Sequence, residues 1–187
     1  LEFRRVLFRS SGKSFAVKYH LSVPYFLPRE KLIHDDKMIE QLFFYGDKDG
    51  IESFASFMSQ FLNKPEWKVL KNDQWVEIRS LIGKPVWIYA NLPLENKDGD
   101  DPDAKAQEML TEYLSVQGLE PSIVIHRGHS YHLKYTIEQL PKTAKIIVLG
   151  SCGSYQNLNA VLTVCPEAHI ISSKEVGTRI VNEPILK

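Results

Sequence analysis

The stretch IVIHRGHSYHLKYTIEQLPKTAKIIVLGSCG, residues 123–153, decides the fold class of this chain. It contains two apolar runs, at 123–125 and 146–149, and between them a short helical pattern at 135–140 that Pro141 ends. A strand, a short helix and a second strand in this order are typical of a βαβ unit, in which the two strands are parallel. Because both runs are continuously apolar rather than alternating, we expect both faces of their sheet to be buried.

The same alternation of apolar runs and helical patterns extends over most of the chain. We predict the remaining helices at 51–62, 104–116 and 157–164. We predict the remaining strands at 38–45, 67–70, 75–78, 86–90 and 169–172. This pattern predicts an α/β fold, a three-layer sandwich in which helices cover both faces of a mostly parallel sheet.

Three segments of the chain are predicted to differ in origin and structure. Residues 1–10, LEFRRVLFRS, are identical to the translation of a common sequencing adapter, so we expect them not to belong to the natural protein. Residues 11–36 show no clear period, and we assign them to the tail of an upstream region. Residues 37–187 are predicted to form the α/β domain, which we expect to be truncated at its C-terminus. Because the natural start is expected to be missing, no compartment is predicted.

The charges of the chain are balanced, with 23 Lys and Arg residues against 23 Asp and Glu residues. Nucleic-acid-binding proteins usually carry a basic excess, so no nucleic-acid partner is expected. No apolar run in the sequence approaches the roughly 20 residues that a membrane-spanning helix needs, and no sequence motif predicts a cofactor. The two cysteines, Cys152 and Cys165, are too few for a disulfide scaffold.

Two predicted strand ends carry reactive side chains, and ligands of parallel sheets bind at this carboxyl edge. His129 follows the strand at 123–125, and Cys152 follows the strand at 146–149. Neighbouring parallel strands lie about 4.8 Å apart, so adjacent strands would bring the imidazole and the thiol face to face. A thiol becomes a strong nucleophile when a neighbouring base favours its thiolate form. We therefore predict His129 as the base, Cys152 as the nucleophile, and the backbone at Cys152 and Gly153 as the surface that approaches a substrate carbonyl.

At these residues the chain resembles the caspase-like cysteine peptidases, the group that includes caspases, clostripain, gingipains and separase. The resemblance covers residues 38–173 in the order of elements, and in sequence only the two motifs around His129 and Cys152. It implies a caspase-like fold and a cysteine endopeptidase that cleaves peptide or protein substrates through an acyl-enzyme. The family usually has glycine directly after the histidine, whereas Ser130 occupies that position here. The amide of Ser130 would then be the second oxyanion donor.

Two alternatives to an active peptidase stay open. The first is a non-catalytic module of the same fold, which binds peptides or signals through the same pocket. The second is a metal-dependent hydrolase that uses the cluster His126, His129 and His132. At the end of a strand these histidines are expected to point in different directions, with His126 on the face opposite His129. No glutamate lies between them, as it does in the zinc-protease helix motif. We therefore predict no metal site. A solvated loop, rather than a calcium site, is expected for the acidic residues Asp98, Asp100, Asp101 and Asp103.

The segment Gly46-Asp47-Lys48-Asp49-Gly50 follows the first predicted strand at the same carboxyl edge. A buried carboxylate there, from Asp47 or Asp49, predicts a substrate pocket for Arg or Lys, because an unpaired buried charge is costly and a basic partner satisfies it. The segment is also compatible with an ordinary polar turn. A third possibility is a preference for acidic substrates, with Lys48 or Arg127 as the residue that recognises them.

Overall fold

The computed structural model describes residues 27–95, 101–177 and 182 of the chain. The strands form one eight-stranded sheet. They are β1 (Ile33–His34), β2 (Lys37–Phe44), β3 (Trp67–Lys71), β4 (Trp75–Ser80), β5 (Val86–Asn91), β6 (Ile123–Arg127), β7 (Ile146–Gly150) and β8 (His169–Ser172). Four α-helices lie within the described ranges, namely α1 (Lys48–Met58), α2 (Pro102–Val116), α3 (Leu133–Glu138) and α4 (Leu158–Val164).

The sheet is parallel in one half and antiparallel in the other. Its order is β3-β4-β5-β2-β6-β7-β8, and β1 pairs with β2 outside this path. β2 pairs in parallel with both β5 and β6, and the pairs β6-β7 and β7-β8 are also parallel. β3, β4 and β5 pair antiparallel, because the connections at 72–74 and 81–85 are too short for a crossover between parallel strands. The predicted α/β class is confirmed, with a mixed sheet whose central strands are parallel.

Helices cover both faces of the sheet, and alternate residues of β2 point to the two sides. Leu42 and Phe44 pack in one cluster with Phe57 of α1. Phe43 packs with residues of α3 and α4, and Ile39 packs with residues of α2. Successive side chains of a strand point to opposite faces, so α1 lies on one face and the other three helices lie on the second. This arrangement is compatible with the predicted three-layer sandwich.

The sheet begins before the domain boundary that the sequence predicted at residue 37. β1, Ile33–His34, pairs antiparallel with the start of β2. Ser122 Oγ donates a hydrogen bond to the carbonyl oxygen of Leu32 at 2.7 Å. Part of the segment 11–36 therefore belongs to the domain. The predicted adapter lies outside the described residues, as does the predicted C-terminal truncation.

Helix α1 begins earlier than predicted, inside the segment that the sequence suggested as a loop. Asp47 is its N-cap, and the carboxylate accepts a hydrogen bond from the amide of Gly50 at 2.9 Å. Glycine is required at position 50, because a Cβ atom there would lie 1.9 Å from the carbonyl oxygen of Tyr45. The segment is therefore a tight strand-to-helix turn packed on the end of β2. Asp49 lies within the first turn of the helix.

Candidate active site

His129 and Cys152 follow neighbouring strands at the same edge of the sheet. β6 and β7 are adjacent and parallel, and their last paired residues are Arg127 and Gly150. His129 and Cys152 each lie two residues beyond this pair. Both residues line one cavity of about 460 Å³, which we call the dyad cavity. The predicted adjacency and parallel direction of the two strands are confirmed.

The two cysteines have opposite environments. Cys152 is exposed in the turn that follows β7. Cys165 is buried, its Sγ donates a hydrogen bond to the carbonyl oxygen of Pro141 at 3.3 Å, and burial raises the pKa of its thiol. A raised pKa keeps Cys165 in the less reactive thiol form. Cys152 is therefore the cysteine that a ligand in the dyad cavity can reach.

The backbone amides near Cys152 differ in what they bind. Gly153 adopts a left-handed backbone with φ of 57°, and its amide donates a hydrogen bond to the carbonyl oxygen of Glu175 at 3.1 Å. This amide is occupied, contrary to the predicted role of Gly153 at the substrate carbonyl. Among the backbone–backbone hydrogen bonds that the described residues form outside their helices and strands, none uses the amide of Cys152 or that of Ser130. These two amides are the candidates for an oxyanion hole.

The three histidines of the predicted cluster occupy three different environments. His126 is fully buried, its Nδ1 lies 2.8 Å from Thr136 Oγ1, and burial lowers the pKa of the imidazole to about 3. His129 lines the dyad cavity, whereas His132 lines a second cavity. Across the described ranges, no group of three or more His, Cys, Asp or Glu side chains is arranged to hold a metal ion. The geometry therefore gives no support to the metal-dependent alternative.

Asp47 is the carboxylate closest to the candidate base. Its Oδ1 lies 4.0 Å from His129 Nε2, and its Oδ2 lies 3.4 Å from His132 Nε2. The ring of His129 stacks on Tyr131 with centroids 5.2 Å apart, and the ring of His132 stacks on Tyr45 with centroids 3.9 Å apart. The carboxylate thus lies beside two imidazoles that pack on aromatic rings. Burial lowers the pKa of His132, and the negative charge of Asp47 acts against that shift. The sequence suggested Asp47 for substrate binding and did not predict this contact.

The second cavity, of about 720 Å³, is acidic and shares Glu52 with the dyad cavity. Four carboxylates and two aromatic rings line this acidic cavity, namely those of Asp47, Glu52, Glu95, Asp103, Tyr131 and His132. Burial and a hydrogen bond with Asp101 raise the pKa of Asp103 to about 7. Asp103 is buried at the start of α2, so this part of the predicted acidic loop is not solvated. Asp98 and Asp100 lie outside the described residues.

The two carboxylates predicted to bind substrate line different cavities. Asp49 is exposed and lines the dyad cavity. Asp47 lines the acidic cavity together with Lys48. The side chain of Arg127 also lines the dyad cavity, but it is buried and hydrogen-bonded within the protein. The two candidate carboxylates therefore line separate cavities: Asp49 lines the cavity of His129 and Cys152, and Asp47 lines the acidic cavity while its carboxylate lies 4.0 Å from His129.

The fold and the site together define a class: an α/β protein with an exposed cysteine and a histidine at the carboxyl edge of neighbouring parallel strands. Neither a family model nor a curated protein matches the chain. None of the helices in the described part of the chain has the length and apolar character needed to cross a membrane.

Proposed function

We propose that the chain is a cysteine endopeptidase in which His129 and Cys152 form the catalytic pair. The observation that supports this most is the strand register: each residue lies two positions beyond a paired residue on adjacent parallel strands, and both line one cavity. The exposed position of Cys152 is also the one that a nucleophile needs. The proposed relationship is to the caspase-like peptidases, in which the catalytic histidine and cysteine follow successive buried strands.

In the proposed reaction, Sγ of Cys152 attacks the carbonyl carbon of the peptide bond while His129 accepts the thiol proton. The carbonyl oxygen becomes an oxyanion, which the amides of Cys152 and Ser130 stabilise by hydrogen bonds. The C–N bond then breaks, His129 gives its proton to the leaving amine, and a thioester forms. A water molecule, deprotonated by His129, attacks the thioester and releases the carboxylic acid, and the thiol is regenerated.

Asp47 would support His129 in both halves of this reaction. During each attack the imidazole carries a positive charge, and a carboxylate 4.0 Å from Nε2 stabilises that charge. The same carboxylate caps α1, so its place is fixed by the helix rather than by the histidine alone. Asp47 would therefore have two roles: it caps helix α1, and it places a negative charge near the base.

Replacing Asp47 by asparagine should slow the reaction of Cys152 with iodoacetamide by about tenfold while the fold stays intact. Asparagine is as good an N-cap as aspartate, so helix α1 is preserved and only the negative charge is lost. The rate of Cys152 modification and the thermal unfolding midpoint should be measured together. Asp73→Asn, at an exposed turn remote from the site, is the matched control. A folded Asp47→Asn variant that reacts at the wild-type rate would remove Asp47 from the mechanism.

We further propose that substrates carry Arg or Lys before the cleaved bond. Asp49 and Glu52 line the dyad cavity, and the acidic cavity adjoins it at Glu52. A long basic side chain that extends from one cavity to the other would lie among these carboxylates, whose charges attract it. Tyr131 on the wall of the acidic cavity offers an aromatic face for the same cation.

Peptidyl ketone electrophiles that differ only in the residue next to the reactive carbon should test this preference. An Arg probe should modify Cys152 at least about tenfold faster than a Leu or Asp probe, because it pairs with the carboxylates of the cavities. Asp49→Ala should reduce that advantage, and Asp73→Ala should leave it unchanged. Faster reaction of the Asp probe would support recognition by Lys48 or Arg127 instead. Equal rates for the three probes would exclude a pocket that selects basic residues.

A non-catalytic peptide-binding module is the second candidate function. It is favoured by the occupied amide of Gly153 and by Ser130 at a position where the resembled family usually has glycine. Such a module would bind the basic peptide reversibly, without hydrolysis and without forming an adduct. Mass spectrometry of the chain after incubation with the Arg probe separates the two functions, because only the peptidase gains the mass of the probe at Cys152.

A further inference from the structure

Arg127 is a buried arginine on the wall of the dyad cavity, and the proposed reaction does not use it. It is 4% exposed and ends strand β6, two residues before His129. A buried guanidinium is costly unless hydrogen bonds compensate the loss of water, so a chain that keeps one gains something specific from it. Arg127 lines the same cavity as both dyad residues, and this position indicates a role in the site.

The guanidinium connects the three elements that surround the dyad cavity. Nη1 of Arg127 donates a hydrogen bond to the carbonyl oxygen of Gly150, at the end of β7, at 3.3 Å. Nη2 donates a hydrogen bond to Oγ of Ser53, a buried residue of α1, at 3.1 Å. One side chain on β6 therefore holds the last residue of β7 and the helix that Asp47 caps.

Gly150 is fitted to this arginine. A Cβ atom at position 150 would lie 3.0 Å from Nη1 of Arg127, 3.1 Å from its Cδ and 2.8 Å from the carbonyl oxygen of His126. The glycine lets the arginine side chain lie directly over the backbone that leads into the Cys152 turn. Because Gly150 precedes Cys152 by two residues, a shift of the guanidinium would shift the nucleophile.

We propose that Arg127 is a positioning residue that holds the Cys152 turn opposite His129 and places a positive charge on the cavity wall beside the nucleophile. This inference rests on the proposed function, since it concerns the same dyad. The first role follows from the hydrogen bonds to Gly150 and Ser53. The second follows from the fixed charge of arginine, which stays protonated in proteins and attracts anions that enter the cavity.

Two alkylating reagents of equal size and different charge test both roles in the full chain. Arg127→Met should slow the modification of Cys152 by neutral iodoacetamide about tenfold, because the turn loses its anchor. It should slow anionic iodoacetate several-fold more, because the positive charge is also lost. Arg79→Met, which removes an arginine stacked on Trp87 outside the cavity, is the matched control and should change neither rate. Protection of the buried Cys165 reports that each variant is folded.

Arg127→Lys keeps the charge but offers a single ammonium group in place of the planar fork. It should restore the ratio of iodoacetate to iodoacetamide rates and recover only part of the absolute rate, and it serves as the second variant if Arg127→Met does not fold. Wild-type rates in a folded Arg127→Met variant, or an equal slowing of both reagents, would overturn the inference. If His129→Ala slows labelling and Arg127→Met does not, only this inference fails. If neither slows it, the proposed function fails as well.

Discussion

Iodoacetamide should modify Cys152 at least roughly a hundredfold faster than Cys165 in the folded chain. Cys152 is exposed on the dyad cavity, whereas Cys165 is 1% exposed, hydrogen-bonded to Pro141, and has a pKa raised by burial. Changing His129 to alanine should slow the modification of Cys152 by about tenfold or more, because the thiol loses the base that accepts its proton. Timed labelling followed by peptide mass spectrometry measures both rates in one sample.

His34→Ala is the matched control for this experiment, since it removes a half-exposed histidine on β1, outside the dyad cavity. It should leave both labelling rates unchanged. Similar rates for the two cysteines would show that Cys152 has no special reactivity. A wild-type rate in His129→Ala would separate the thiol from the histidine and contradict the proposed catalytic pair.

The central strands could be predicted from the sequence because burial on both faces leaves a local signal. The predicted runs at 123–125 and 146–149 are the cores of β6 and β7. Each is a short, continuously apolar run that a turn or a polar residue ends. The predicted strand at 169–172 corresponds to β8, which lies at the edge of the sheet. Helix α2 could be predicted from a different local signal, since Gly118 follows its last turn closely and glycine commonly ends helices.

Features that depend on weak local signals were missed. β1 has only two residues, too few for a hydrophobic pattern, so the sequence predicts a domain boundary after it. The sequence also predicts too late a start for α1, because Asp47, Asp49 and two glycines are typical of a polar turn. An N-cap aspartate directly after a central strand was the available signal, and Gly50 was the sign of a close backbone approach.

The site could be predicted only in part. The positions of His129 and Cys152 follow from local sequence patterns, whereas their supporting contacts depend on the tertiary structure. His129 and Cys152 each follow an apolar run, and the rule that sites lie at carboxyl ends of parallel strands places them together. The supporting contacts join residues that are distant in the chain: Asp47 with His129, and Arg127 with Ser53. No periodicity or motif encodes such pairs, so the sequence suggested Asp47 and Arg127 only as residues that bind the substrate.

Acidification should destabilise the fold through His126, by about 3 kcal/mol between pH 7 and pH 4.5. Burial lowers the pKa of His126 from 6.5 to about 3 in the folded chain. Below pH 6.5 the unfolded chain therefore binds a proton that the folded chain does not bind until about pH 3. The contribution of His126 to stability is complete above pH 6.5 and is lost progressively as the pH falls toward 3.

Two carboxyl groups with raised pKa values act in the opposite direction. Burial raises the pKa of Glu40 to about 7, and burial together with the hydrogen bond that the protonated carboxyl of Asp103 donates to Asp101 raises the pKa of Asp103 to about 7. In the folded chain these groups keep protons that the unfolded chain releases near pH 4. Their contribution to stability is present at low pH and is lost as the pH rises through 7. The pH profile of the wild-type chain is therefore a sum, and only a difference between variants isolates His126.

His126→Gln provides that difference, because glutamine can keep a hydrogen bond to Thr136 and cannot be protonated. Urea unfolding of both chains at pH 7, 5.5 and 4.5 should show the wild type losing about 3 kcal/mol relative to the variant as the pH falls, while Glu40 and Asp103 cancel. Thr136→Val keeps the histidine and removes its partner, so it should lower stability by a similar amount at each pH. Parallel pH profiles for the wild type and His126→Gln would mean that His126 is not held neutral in the core.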